Sequence, residues 1–332
     1  MTDTTTVSPH QPIVIDCHYA GHSEVAAAFL VREGDRAAFI EANTSHAIPR
    51  LLKALEAEGM TPDQVEWVII THVHLDHAGG AAALLEACPN ATLLGHPRAT
   101  PHVIDPSKLV ESATAIYGAD TFERLYGTID PVPADRVRAV ADGETLTFGE
   151  RTLRFFFTRG HANHHMCIHD DKADAIYTGD NFGLVYPGLQ DNDRRIALAS
   201  TPPTDFDAQA ALESIERILA VGAQRVYVTH YGGYSDLEPI AAQLRDQLQQ
   251  FASWVEEAFH SDLDNDALQD HFSQRLTAMV EAHLTAGGIP AEDPRRQLLS
   301  FDRMLNAQGL AFAVKKRRYK ARKAAEAARQ EP

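Results

Sequence analysis

Thr71-His72-Val73-His74-Leu75-Asp76-His77-Ala78-Gly79-Gly80 is the stretch on which the reading of this chain turns. Ahead of it runs Val65-Glu66-Trp67-Val68-Ile69-Ile70, whose β-branched and aromatic side chains read as a buried strand. Behind it, Ala81-Ala82-Ala83-Leu84-Leu85-Glu86-Ala87 consists of strong helix formers. The decapeptide therefore lies where a strand hands over to a helix, the usual place for a site in an α/β protein. Three imidazoles and a carboxylate between positions 72 and 77 are too many for ordinary solvated surface. His72 and His74 are two apart, so an extended backbone sends both to one face. Asp76 and His77 are adjacent at the turn and diverge toward a second point. The spacing predicts two metal half-sites built from one loop. A chance polar turn or a structural zinc site is the competing reading, but structural zinc closes with four ligands and favours cysteine.

The 332 residues suggest one large domain with an extension. A hydrophobic share of 44% and a charged share of 23% are those of a globular chain with a sizeable core. Lys and Arg number 30 against 46 Asp and Glu, a formal charge of −16, which argues against a body that wraps nucleic acid or rests on an anionic membrane. Cys17, Cys88 and Cys167 have no spacing pattern, so no disulfide framework is expected and Cys17 and Cys167 read as small core residues. No signal peptide and no membrane-spanning run is legible, and a cytoplasmic protein is the expectation.

Taken in order, residues 1–12 read as a flexible lead-in, 13–235 as a layered domain and 236–332 as a helical extension. Short strands are expected at 13–15, 26–31, 37–40, 65–71, 91–94, 146–148, 153–158, 175–178 and 225–229, with helices near 49–59, 81–87, 107–117, 120–126 and 206–221. Residues 97–140, punctuated by five prolines, are long for a connection and suit the border of a substrate pocket. Past residue 236 only helical periodicity remains. Four strands each end on a ligand-type side chain: His72, His161, Asp180 and His230. Strand ends on one edge of a layered fold meet in space, so one convergent site is expected.

Together, Thr71-His-Val-His-Leu-Asp-His77, Gly160-His161, Thr178-Gly-Asp180 and Thr229-His230 resemble the metallo-β-lactamase superfamily of metallohydrolases, the hydroxyacylglutathione hydrolase and lactonase-like branch first. The resemblance spans roughly residues 13–235 and implies an αββα sandwich, here followed by the C-terminal helical extension. It implies that His72, His74 and His161 hold one metal, that Asp76, His77 and His230 hold a second, and that Asp180 bridges them. Arg159 stands in Thr158-Arg-Gly-His161 where the hydroxyacylglutathione hydrolases commonly have proline, which leaves the substrate class open. The ligand types suit two divalent ions, zinc first, with iron or manganese as alternatives. Such a pair, roughly 3.5–4 Å apart, would lower the pKa of a shared water and present a bridging hydroxide to a carbonyl. Asp76 and Asp180 are then the catalytic carboxylates, steering that water or relaying a proton.

The expected activity is hydrolysis of a carbonyl ester, thioester or lactone of a small molecule. A mononuclear iron persulfide dioxygenase and a phosphodiesterase or nuclease are the alternatives. His22, His165, Asn181 and Phe182 are candidates to line the substrate site, while His96 reads as a hydrogen-bonded structural residue. The cluster Lys315-Lys-Arg-Arg-Tyr-Lys-Ala-Arg-Lys323 is basic on an acidic chain. It reads as a solvated or docked helical tail ahead of a nucleic-acid-binding one. Leu298, Leu299, Met304, Leu305 and Leu310 recur at helical spacing, suiting packing on the body or a homodimer partner.

Overall fold

The structure, a computed structural model, describes residues 10–190 and 194–329. Its first sheet runs in sequence order through β1 (Ile13–Asp16), β2 (Ala27–Glu33), β3 (Arg36–Ile40), β4 (Val65–Ile69), β5 (Thr92–Gly95) and β6 (Val137–Ala139). The opening pairs are antiparallel; β3 to β6 are parallel. Parallel neighbours need crossovers, and these carry α1 (Ile48–Ala57), α2 (Leu75–Ala78), α3 (Ala81–Ala87), α4 (Thr100–Ile104), α5 (Ser107–Tyr117) and α6 (Ala119–Tyr126). The second sheet holds β7 (Thr145–Phe148), β8 (Arg151–Phe157), β9 (Met166–Asp170), β10 (Ala175–Gly179), β11 (Arg225–Val228) and β12 (Gly232–Tyr234). Within it β10 and β11 are parallel, linked through α7 (Ala208–Leu219). Helices α8 (Leu237–Phe259), α9 (Leu268–Ala286) and α10 (Ser300–Ala328) follow.

The pleat explains the layering. In β2, Ala27, Phe29 and Val31 turn toward the second sheet and meet Phe155, Ile168 and Tyr177, while Ala28 and Leu30 turn outward to α1 and α3. Strands covered on both faces read as continuous apolar runs, as β2 and β3 do. On the far side, Phe156, Ile176 and Val226 pack against α7 to α10 through Ile215, Leu248, Phe251, Leu276 and Leu310. The result is the expected αββα sandwich, with one hydrophobic cluster joining the second sheet to the C-terminal helices. Phe29 is the central plug between the sheets, and truncating it to alanine would cost about 3–5 kcal/mol.

One polar device crosses the sandwich. Arg151, almost wholly buried, donates to the Asp170 carboxylate and lies 3.5 Å from Glu33, which also takes Lys172 at 2.6 Å. This ties the end of β2 to the β8–β9 hairpin. Three strands were not anticipated. β6 closes the proline-rich 97–140 segment, β9 carries His169 and Asp170 beside a histidine-rich run, and β12 is largely glycine; register with β5, β8 and β11, not propensity, makes them strands. Of the lead-in, residues 1–9 lie outside the described residues, and Gln11 is already pinned, donating to the Ala173 carbonyl (2.7 Å) and accepting from Tyr227 (2.6 Å).

Candidate metal centre

Four loops converge at one edge of the sandwich. The loop after β4 brings His72, His74, Asp76 and His77; those after β8, β10 and β11 bring His161, Asp180 and His230. Backbone contacts hold the first loop down: Ala42 N–H donates to the His77 carbonyl (2.9 Å), Gly80 N–H to Asn43 O (2.7 Å), and the Asn43 amide to Asp76 O (2.8 Å). Gly80 is required by this closeness, since a Cβ there would lie 2.6 Å from Ala42 O. Gly179, just before Asp180, has φ +51°, and a Cβ would sit 2.4 Å from His165 Nε2.

His72 Nε2, His74 Nδ1 and His161 Nε2 lie 2.9, 3.0 and 3.2 Å from one another. A tetrahedral cation with bonds of about 2.0–2.1 Å separates its donors by roughly 3.3 Å, close to this triangle. Next to it, His77 Nε2 is 3.2 Å from Asp180 Oδ1 and 3.8 Å from Asp76 Oδ2, and His230 Nε2 is 3.3 Å from Asp76 Oδ2 and 3.7 Å from Asp180 Oδ1. Asp180 spans the two groups, its Oδ2 lying 3.4 Å from His161 Nε2. His77 Nε2 and Asp180 Oδ1 are buried with no hydrogen-bond partner among the described residues, although buried polar atoms are nearly always paired. The two donor sets fit divalent cations. All seven sequence-predicted ligand residues therefore come together, three in one group, three in the other and Asp180 between them.

Protonation states follow from the surroundings. Burial pushes the His72 imidazole well below its ordinary value, reinforced by His77, His74 and His161, and burial takes His161 down to about 3. Burial opposes the charged form of His77 and His230 as well, but there the carboxylates win. Asp180, Glu41 and Asp76 hold His77 well above its usual value, and Asp180 with Asp76 raises His230 to about 9. Burial likewise works against ionised Asp180 and Asp76, yet the facing imidazoles, His77 foremost, hold both low.

A supporting shell was not legible from the motifs. Glu41, fully buried past the end of β3, accepts from His77 Nδ1 (2.9 Å), from Thr71 Oγ1 and backbone N–H, and from Thr229 Oγ1 (3.0 Å). It fixes the ring of His77 with Nε2 facing the site, as such partners do for metal-binding histidines. His230 Nδ1 is held by the Val25 carbonyl (2.9 Å) and His72 Nδ1 by Thr71 Oγ1 (3.1 Å). The strand-end pattern that yields His72, His161, Asp180 and His230 yields Glu41 too once it is extended to β3.

A chamber of about 610 Å³ opens above the centre, and His74, Asp76, His161, Asp180 and His230 form its floor. Of the four candidate lining residues, His22 alone lines it. Phe182 is wholly buried in the α7–α10 core, and Asn181 Oδ1 accepts the backbone N–H of His161 (3.3 Å), holding its loop. His165 donates to Thr158 Oγ1 (2.8 Å) and accepts the Asp180 N–H (3.3 Å), orienting the Asp180 backbone from behind. His96 is structural as read: its Nδ1 accepts the Arg98 N–H at 2.9 Å and its ring packs on Phe157.

Residues 316–318 of the basic cluster are docked, while Lys315, Lys320, Arg322 and Lys323 are exposed. Arg318 caps the end of α8 through the carbonyls of Ala258, Ser261 and Leu263, Arg317 pairs with Glu256 at 2.7 Å, and Lys316 lies 3.5 Å from Asp205. Leu299 and Leu310 are buried as their spacing suggests, whereas Met304 faces outward. No helix among the described residues is long and apolar enough to cross a membrane.

Comparison with known proteins agrees with this geometry. A metallo-beta-lactamase fold-containing protein of Sulfurisphaera tokodaii is 26% identical over 211 residues, 63% of this chain and 74% of that protein. The crystal structure of an archaeal metallo-beta-lactamase superfamily protein from Sulfolobus tokodaii superposes with a TM-score of 0.64 at 22% identity, covering 91% of this chain and 98% of that one. An atrochrysone carboxyl ACP thioesterase of Aspergillus fumigatus is 24% identical over 201 residues, 60% of this chain but only 48% of that protein. The model of the metallo-beta-lactamase superfamily matches residues 24–230, from the end of the β1–β2 loop to the last histidine of the centre, and the chain belongs to that superfamily.

Proposed function

We propose that the protein is a binuclear metal-dependent hydrolase that cleaves a carbonyl ester, thioester or lactone of a small molecule. The observation that carries this reading is Asp180, whose two oxygens face different donor groups, Oδ2 toward His161 and Oδ1 toward His77 and His230, beneath an open chamber. Two divalent ions, zinc first, would supply an activated water and a Lewis acid for the carbonyl. The chain's own part is positioning and proton handling. Glu41, Thr71 and the Val25 carbonyl fix the imidazoles, while His165 fixes the backbone of Asp180. Asp76 has the more exposed carboxylate of the pair, at 22% against 5% for Asp180, and lines the chamber. On this reading Asp76 takes a proton from the attacking water and returns it to the leaving group.

The thioesterase named among the relatives supports an acyl substrate. Against the nuclease alternative, three cations of the basic cluster are engaged with the body. Elemental analysis followed by a panel of lactones, thioesters and phosphodiesters tests the proposal. Asp180→Ala should lose metal and most activity together. Unchanged metal content with near-normal turnover in that variant defeats the assignment, and one iron per chain with oxygen uptake on persulfides defeats the hydrolase.

A further inference from the structure

The chamber has a composition that the centre alone does not require. One wall comes from α5 and α6 with Leu109, Ala113, Tyr117 and Leu125, and the other from residues 294–305 with Leu298, Phe301 and Leu305. Tyr117 and Phe301 meet across the gap with ring centroids 6.3 Å apart. Ile116 and Phe301 line the chamber yet are 50% and 38% exposed, which places the mouth between these walls. The polar groups near the floor are chiefly phenols. Tyr19 and Tyr126 are buried, with ring centroids 6.4 Å apart, and burial keeps both neutral by raising their pKa.

Charge is distributed one way. Among the described residues, Arg124 is the single lysine or arginine lining the chamber, and it sits exposed near the outer end of α6. Apart from Asp76 and Asp180, the single carboxylate is Asp302, in the first turn of α10. Tyr186 O–H donates to Asp302 Oδ1 at 3.2 Å, and the Tyr186 ring packs edge-on to His230. Beyond the centre itself, an anionic substrate group would find no lysine or arginine in the interior and one further negative charge.

We propose, resting on the hydrolase reading, that the chamber binds the non-reacting part of an uncharged, largely apolar acyl or aromatic substrate, and that Asp302 is a specificity-determining residue that turns away carboxylate- and phosphate-bearing analogues. The volume lies within the range of pockets that engulf a drug-sized ligand. Any charged carrier attached to the acyl group would stay outside, on the Arg124 side.

Two measurements on the metal-loaded full chain test this. Neutral N-phenyl-1-naphthylamine should bind with fluorescence enhancement, its sulfonated relative 8-anilino-1-naphthalenesulfonate at least tenfold more weakly. Ala113→Trp should abolish binding of the neutral probe, and Asp302→Asn should narrow the ratio between the two. In turnover, p-nitrophenyl decanoate should exceed its ω-carboxylated counterpart in kcat/KM by about 100-fold, mainly through KM, the scale for like charges within about 6 Å at a partly buried site. Asp302→Asn should shrink that ratio about tenfold or more. Equal binding of both probes, or equal turnover of both esters unmoved by Asp302→Asn, overturns the inference while leaving the hydrolase intact. The expected probe pattern with no ester, thioester or lactone cleaved upholds the chamber and overturns the hydrolase instead.

Discussion

Glu41→Gln is the sharpest test of how the centre is held. The carboxylate accepts four hydrogen bonds, from His77 Nδ1, Thr71 Oγ1, Thr71 N–H and Thr229 Oγ1. An amide keeps the shape, but places an N–H₂ where one oxygen met donors. With the amide oxygen at the Oε1 position, the contact with the Thr71 backbone N–H is lost; with it turned away, His77, Thr71 Oγ1 and Thr229 Oγ1 lose their acceptor and His77 the partner that orients it. Replacing a carboxylate behind a metal-binding histidine lowers affinity about 10–100-fold, or about 1.4–2.7 kcal/mol. The loss should fall mainly on the group of Asp76, His77 and His230, because His72, His74 and His161 touch Glu41 only through Thr71. Competition titration with a chromophoric chelator resolves the two affinities. For the proposed pair of ions, the expected result is one weakened and one near-normal affinity, with kcat/KM falling in step with the weaker site. Two unchanged affinities would refute the assigned role of Glu41, and equal loss at both would refute its selective hold on His77.

A divalent ion taken up as proposed would have to displace protons from His77 and His230, whose pKa values the carboxylates raise, His230 to about 9. Affinity should therefore climb with pH up to about 9, by about tenfold per unit for each proton displaced, and titration calorimetry in two buffers should detect the release; a pH-independent affinity from 6 to 9 would sink this. Asp170→Ala leaves the buried Arg151 charge with Glu33 alone, at 3.5 Å, and should cost about 3 kcal/mol in urea unfolding, with a loss under 1 kcal/mol counting against the pair. Asp302 is pushed up to about 6 mainly by burial, so its contribution to stability is full below its ordinary 3.8 and disappears as pH rises through 6. The stability of wild type relative to Asp302→Asn should fall between about pH 4 and 6 and then level off; a flat difference would contradict the buried placement.

Much of the architecture was legible because both periodicities were strong. β2 and β3 read as apolar runs and proved covered on both faces, and the helices near 107–117 and 120–126 survived a proline-rich context because glycines at 118 and 127 mark their ends. The ligands were legible because chemistry is written locally, in His-X-His-X-Asp-His and in Gly-His. What surrounds them was not. Glu41 follows an ordinary strand, and only its fold-back toward Thr71 and Thr229 gives it a task. Phe182 sits two residues past Asp180, yet the turn sends it into the core. His165 resembles a pocket residue in sequence but lies behind Asp180. Tyr186 and Asp302 are 116 positions apart, and no local pattern pairs them.

The packing of the C-terminal helices limits how the substrate range of this centre can be altered. α10 supplies one chamber wall with its first turns and, with α8 and α9, roofs the second sheet further along, in the cluster that holds Phe156, Ile176 and Val226. The segment that shapes selectivity is thus also masonry. Grafting in another helix to accept new substrates would strip the sheet that anchors Asp180 and His230, and deletion of residues 236–332 should give an insoluble chain rather than a permissive enzyme. Redesign has to proceed by single side chains on the inner face of residues 298–305, with the outer turns of α10 left alone.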